Sequence, residues 1–372
     1  MRRTILSVAY PLTEVGPDAV GGSEQVLTML DAALTRAGDH SVVLAAEGSA
    51  VTGTLLASPR ASGHLDDSVR EWGRRVHHQL LHEAIATYAP DLVHMHSLDF
   101  HSYMLSGNVP VLATLHLPPD WYPPQVFQAK RDSFYMNCVS QSQHRNCPAS
   151  SCLLDPIPNG VDVSRLAGKL PKQDFALALG RICPEKGFHL ALQAAKVAGT
   201  PLRLAGEIFP YPSHLEYFRT EIEPLLSEDR SFIGPQRFDQ KKSLLAEARC
   251  LLISSTVAET SSLVAMEALA CGTPVIAFPA GALPEIIEHG RTGFLVSTVE
   301  EMSRALLQVN ELDPEVCRAT ALERFGSASM CARYLDLYDT LIPVNPVERV
   351  AFEDGGLTQR ATRETPQWVV TS

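Results

Sequence analysis

The chain has 372 residues, 45% of them hydrophobic, with 31 Lys or Arg against 42 Asp or Glu and a formal net charge of −11. That length suits two domains with sizeable cores, and the acidic balance excludes nucleic-acid binding driven by overall charge. An anionic ligand would need a local cationic pocket. No apolar run reaches the ~20 residues of a membrane helix, so membrane contact is expected to be peripheral at most. Met1-Arg2-Arg3 precedes a short apolar run that Tyr10-Pro11 interrupts. This reads as a buried first strand rather than a signal peptide, and predicts a cytoplasmic protein. The eight scattered cysteines are expected to be reduced thiols.

Short β-branched runs alternate with longer helical patterns, as in βαβ units with parallel sheets. In the first half, strands are predicted at 4–8, 41–45, 91–94, 111–114 and 135–139, with helices at 23–37 and 66–88. Gly38 stops the first helix and Pro90 follows the second. The turn-forming run Asp155-Pro156-Ile157-Pro158-Asn159-Gly160 marks the domain junction. The pattern then restarts, with strands at 175–179, 202–205, 231–233, 250–254 and 275–278. Helices follow at 187–197, 214–226, 240–248, 262–270 and 283–289. The expected division is an N-terminal domain over 1–165, a second over 166–327, a helix at 328–345 returning to the first domain, and a mobile tail over 346–372.

In open α/β sheets ligands bind at the carboxyl ends of strands, and four features fall there. Gly21-Gly22-Ser23-Glu24 opens a helix after the first strand; paired glycines admit a ligand to the backbone, although an ordinary turn with Ser23 as N-cap explains the residues equally well. Arg181 and Lys186 bracket a loop leading into a helix, a fork donor and a point cation suited to a diphosphate. Glu259 and Glu267 flank the next helix start, where Leu263 and Val264 present free amides to a phosphate. A carboxylate suits paired ribose hydroxyls, but both glutamates could also be ordinary helix-terminal and solvated positions. Phe278-Pro279-Ala280-Gly281 is a further strand–turn with room for close backbone approach.

Together these features resemble glycosyltransferase family 4 (GT4), retaining enzymes with the GT-B fold of two Rossmann-like domains whose parallel sheets face each other across a cleft. The two glutamates separated by seven residues match, as do Ala268-Leu269-Ala270-Cys271-Gly272-Thr273-Pro274, Ile157-Pro158-Asn159-Gly160-Val161-Asp162, Leu204-Ala205-Gly206, Gly290-Arg291-Thr292-Gly293, Asp91-Leu92-Val93-His94-Met95-His96 and Thr114-Leu115-His116. The resemblance spans roughly residues 4–340. It implies that Arg181 and Lys186 bind the donor diphosphate, helped by the amides of Leu263 and Val264. It also implies that Glu267 holds the ribose and Glu259 a hydroxyl of the donor sugar, with Gly281 facing the sugar or phosphate. Gly206 and Ile233 belong to the nucleotide side, and Gly21, Gly22 and His116 face the sugar from the first domain. The family usually places a bulky or Pro residue, an aromatic and a glycine after its first glutamate. Here Thr260-Ser261-Ser262 stand instead, which points to an unusual donor sugar, such as those used by relatives that decorate bacterial natural products.

The expected reaction is metal-independent transfer from a UDP-, GDP- or dTDP-sugar to a hydroxyl of a small molecule, glycan or lipid. No cofactor is expected, and no Asp-x-Asp metal motif is present. Retention follows from the resemblance alone. Alternatives are a sugar-nucleotide epimerase or phosphorylase on the same fold, or a non-catalytic nucleotide-sugar-binding module. A nicotinamide dehydrogenase would need Gly-x-Gly-x-x-Gly, where this chain has only Gly21-Gly22. Three further groups carry weaker signals. Cys138, His144, Cys147 and Cys152 could hold zinc, but lack a Cys-x-x-Cys pair. His77, His78 and His82 with Arg70, Arg74 and Arg75 read as a solvated helix face. Asp99, His101 and Tyr103 are candidates to meet an acceptor.

Overall fold

The computed structural model describes residues 2–60, 66–105, 107–129 and 131–343. The proposed tail lies outside them. Two six-stranded parallel sheets form the frame. The first has strands β1 (Thr4–Val8), β2 (His40–Ala46), β3 (Thr54–Ser58), β4 (Leu92–Met95), β5 (Val111–Leu115) and β6 (Phe134–Cys138), in the order β3-β2-β1-β4-β5-β6. The second has β7 (Ala176–Leu179), β8 (Leu202–Ala205), β9 (Arg230–Phe232), β10 (Cys250–Ile253), β11 (Val275–Ala277) and β12 (Gly293–Leu295), in the order β12-β11-β10-β7-β8-β9.

Helices cover both faces of each sheet, so the central strands are apolar on both sides and read as continuous hydrophobic runs. Ile5, Leu6 and Val8 on β1 and Val42 to Ala46 on β2 are all buried. Register follows this pattern: Ile5 lies opposite Ser41 on one side and Leu92 on the other. Helix ends obey local chemistry. Gly38 adopts φ +83 just after the helix Gly22–Arg36, and Asp66 caps Asp67–Tyr88 by accepting from the Val69 amide.

Several elements depart from the sequence-based expectation. β3 and β12, each at a sheet edge, were not foreseen, nor were the helices Val299–Gln308 and Pro314–Arg324. The helix expected at 214–226 is an α-turn, Pro212–Tyr217, running through a π-helical Phe218–Ile222 into a 3-10 turn at Glu223–Leu225. Pro224 inside that stretch supplies no amide, which accounts for the irregular end. The first helix begins at Gly22 with Gly21 at the cap position, so Ser23 is not an N-cap; its hydroxyl donates to Glu24.

The chain crosses between the sheets twice. Val161 accepts the main chain back, its amide donating to the Phe325 carbonyl at 2.8 Å. The helix Ser327–Leu341 then packs against Gly22–Arg36, and its Tyr338 hydroxyl reaches His94 Nδ1 on β4 at 2.7 Å. Among the described residues no helix is long and apolar enough to cross a membrane.

Candidate functional site

The carboxyl ends of the two sheets face each other across a cavity of about 430 Å³, within the range of small-ligand sites. Loops after β1, β4, β5 and β6 supply Tyr10, Gly21, Gly22, Leu98, His116 and Val139 from one side. Loops after β7 to β10 supply Gly180, Arg181, Lys186, Gly206, Gln236 and Glu259 from the other, with the start of the helix Leu263–Ala270 beside them. The walls touch: a methyl group placed on Gly22 would lie 3.5 Å from Leu263 Cδ1, and Thr260 Oγ1 donates to the His116 carbonyl at 2.9 Å.

Arg181 lines the cavity and forms no ion pair among the described residues. Lys186 Nζ lies 2.6 Å from Glu259 Oε1, which also accepts from the Ser255 hydroxyl. The loop carrying these cations is held by Gly187, at φ +60, where any Cβ would collide with the Ser254 carbonyl oxygen. The helix Leu263–Ala270 is capped by Ser262, whose hydroxyl accepts from the Ala265 amide. Its first two amides, on Leu263 and Val264, have no acceptor among the described residues. Two segments, the loop after β7 and the start of the helix Leu263–Ala270, thus bring positive charge and partial positive charge to one space.

Glu267, buried within that helix, pairs with Lys241 at 2.6 Å. Lys241 was not singled out from the sequence: it sits on the helix Phe238–Glu247, and nothing in its spacing announces Glu267, 26 residues later. Asn159, Gln236 and Ser255 were missed for the same reason, since each is brought in by tertiary packing. Glu24, which closes the Gly21-Gly22-Ser23-Glu24 run, is buried beside Gly21; a Cβ on Gly21 would strike its carboxylate.

Two expected wall residues are not among those lining the cavity. Gly281, at φ +63, packs its Cα face on the Glu259 backbone, where a side chain would clash. Its neighbour Ala282 donates its amide to the Glu259 carbonyl at 2.8 Å, so Gly281 fixes the glutamate loop from behind. Ile233, half-buried, packs against the core, and its carbonyl accepts from the Gln236 side-chain amide, leaving Pro235 and Gln236 on the wall.

His116 enters the cavity from the end of β5, and burial pushes its imidazole down to about 3. Its Nε2 lies 3.2 Å from His96 Nδ1. His96 and His94 are fully enclosed, and burial holds both imidazoles well below the ordinary histidine range. All three rings are therefore neutral near pH 7.

The weaker sequence signals resolve as follows. Cys138 and Cys147 approach to 3.4 Å between sulfurs, but Cys152 turns away to the Ala129 carbonyl. Among the described residues the one set of three possible metal ligands within 4.8 Å of one another is instead Cys183, Glu185 and His214. The Arg181 guanidinium already acts on all three electrostatically, so a second cation there is disfavoured. The helix carrying His77 is not a uniformly solvated face: His77 is buried against Tyr103, because its position is in phase with Gly73, Leu81 and Ala84. Arg74 bonds Asp99 at 2.9 Å, and Arg70 lies over the Tyr211 ring of the opposite domain. Asp99 and Tyr103 are buried and bonded to each other at 2.9 Å, leaving their neighbour Leu98 to face the cavity.

The paired sheets and their interfacial cavity define the GT-B class of glycosyltransferase folds. Residues 164–322 match the family model "Glycosyl transferases group 1". It is 35% identical over 126 residues to N-acetyl-alpha-D-glucosaminyl L-malate synthase of Bacillus anthracis, covering 32% of this chain and 32% of that protein. The aligned segment thus spans about a third of the length of that curated relative. Among solved structures, sucrose-phosphate synthase from Thermosynechococcus elongatus superposes with a TM-score of 0.73 at 20% identity, over 91% of this chain and 99% of that one. The Anabaena protein HepE in complex with UDP and glucose superposes with a TM-score of 0.70 at 19% identity, over 91% and 100%. These likenesses describe the fold.

Proposed function

We propose that the protein is a retaining, metal-independent glycosyltransferase that moves a sugar from a nucleoside-diphosphate sugar to a hydroxyl-bearing acceptor. The observation that carries this reading is the convergence of Arg181, Lys186 and the free amides of Leu263 and Val264 on one wall of the cleft, beside Glu259 and Glu267. As the glycosidic bond to phosphate breaks, charge builds on the leaving diphosphate. Fixed cations and amides in a cleft shielded from water stabilise that charge without reorganising. Glu267 offers two oxygens to a ribose, with Lys241 balancing its charge. Glu259 and His116 approach the sugar from opposite walls, and the Thr260–His116 bond holds those walls together. Same-face attack, with the leaving phosphate taking the acceptor's proton, suits a site whose carboxylates are both engaged by lysines. The crystallised complex of HepE with UDP and glucose supports a nucleotide-sugar donor in a cleft of this fold.

The test is a thermal-shift screen of UDP, GDP, dTDP and their sugars, since a ligand binding only the native state raises apparent stability. Nucleoside-diphosphate release with a panel of hydroxyl acceptors follows. At least one nucleotide should stabilise the wild type and not Arg181→Ala. Absence of any shift, or equal shifts in both proteins, refutes the donor site. Binding without acceptor-dependent release would identify a non-catalytic binding module.

A further inference from the structure

A continuous polar chain leads from the cavity into the core of the first domain, and its members fix one another's protons. At the far end, Asn137 Nδ2 lies 3.3 Å from the Cys138 carbonyl and 3.1 Å from the Tyr334 hydroxyl. A nitrogen facing a carbonyl oxygen is a donor, so Asn137 Oδ1 is the atom turned to Thr114 Oγ1, 2.8 Å away. A carboxamide oxygen only accepts. The single Thr114 hydroxyl proton is therefore committed to Asn137.

From there the assignment propagates. His94 Nε2 lies 2.7 Å from Thr114 Oγ1, whose proton is already used, so His94 Nε2 must carry a hydrogen and donate it. Neutral His94 then has a bare Nδ1, which accepts from the Tyr338 hydroxyl at 2.7 Å and faces His96 Nε2 at 3.1 Å. Two imidazole lone pairs at that distance would repel, so His96 Nε2 is protonated and His96 Nδ1 is bare. His116 Nε2, 3.2 Å from His96 Nδ1, must in turn donate. His116 Nδ1 has no hydrogen-bond partner among the described residues, and His116 lines the cavity.

We propose that Thr114, His94 and His96 are positioning residues that lock His116 in the tautomer with its proton on Nε2, so that bare Nδ1 is presented to a substrate hydroxyl in the cleft. The chain does by relay what a single oriented carboxylate does for other active-site histidines: it fixes which ring nitrogen is free. Without it a neutral imidazole would divide between two tautomers, and one of them would point a donor at a group that must itself donate. Burial of all three rings keeps them neutral and so keeps the alternation of donors and acceptors intact. What Nδ1 accepts rests on the cleft being a sugar-transfer site. The tautomer itself does not.

Long-range nitrogen–proton NMR on the full-length protein with ¹⁵N-labelled histidine reads the tautomer directly, with the His116 signals assigned by their loss in His116→Ala. The wild type should show His116 protonated at Nε2 alone near neutral pH. Protonation at Nδ1, or at both nitrogens, overturns the proposal whatever the protein's activity. Thr114→Val removes the last acceptor, so the alternation should reverse and His116 should move to the Nδ1-protonated form; Thr114→Ser should keep the wild-type spectrum. A Thr114→Val protein whose His116 stays protonated at Nε2 also overturns it. Should that variant fail to fold, the wild-type spectrum still decides. Given a transfer assay, Thr114→Val should lower kcat roughly tenfold with little change in donor KM, and Thr114→Ser should restore it.

Discussion

Lys186 Nζ and Glu259 Oε1 stand 2.6 Å apart although 73 residues separate them in the chain. The lysine's charge is thus held by a carboxylate, and an incoming diphosphate must draw it into a shared network. Lys186→Ala should lower kcat/KM by about 100-fold or more, in the range measured for loss of one transition-state charge contact. The fold should survive, because the Lys186 side chain is about a third exposed. Steady-state kinetics beside circular dichroism check this, and near-normal turnover in a folded variant would remove Lys186 from the phosphate site.

Lys241 and Glu267 form a more enclosed pair. Removing one partner strands a buried charge, which costs about 3 kcal/mol, whereas replacing both by apolar groups is often close to neutral. Glu267→Leu should be strongly destabilised in urea, and the Lys241→Met, Glu267→Leu double variant should recover most of that loss. Both proteins should bind the nucleoside diphosphate poorly. If the double variant is no more stable than the single one, the two charges do not compensate each other.

The neutral buried histidines make stability depend on pH. Burial lowers His77 to about 4 and His116 to about 3, below the ordinary value near 6.5. The unfolded chain therefore takes up protons that the native state refuses, so stability is full above about pH 6.5 and falls as pH drops below it. At pH 5 the loss is about 2 kcal/mol for each of these two residues. Urea denaturation at pH 7.5 and pH 5 should show it, and His77→Phe should reduce the difference. A flat profile would mean these rings protonate in the folded protein.

Gly187 joins the cation loop to its helix at φ +60 with the Ser254 carbonyl against its Cα. Gly187→Ala adds both strain and a clash, at a cost of about 1–3 kcal/mol, and should displace Lys186. The variant should melt lower and lose donor affinity together, whereas Gly199→Ala, at φ +61 but with open space around it, should affect stability alone.

How much of this was legible follows from where the information sits. Arg181, Lys186, Glu259 and the amides of Leu263 and Val264 were readable because each lies in one strand-end loop, where local sequence dictates strand, turn and helix start. Gly281 was read as a wall residue; its glycine is needed for contact with the Glu259 backbone, a tertiary fact that local sequence does not encode. Lys241 escaped notice because only packing brings it to Glu267. β3 and β12 were missed because edge strands are short and half-covered: Thr54–Ser58 shows no clean alternation, and Gly293–Leu295 is three residues long. His94 on β4 and His96 just past its end are two apart and share a face, but Tyr338, which meets His94, and Tyr334, which meets Thr114, are more than two hundred positions away from those partners.

That last distance bears on synthesis. The N-terminal sheet cannot complete its polar interior until the helix Ser327–Leu341 arrives to supply both tyrosines. A nascent chain leaving the ribosome thus carries an unfinished first domain through the making of the whole second one. Its histidine ladder lacks both tyrosines until residues 327–341 have been translated, so completion of the first domain waits on synthesis of the second.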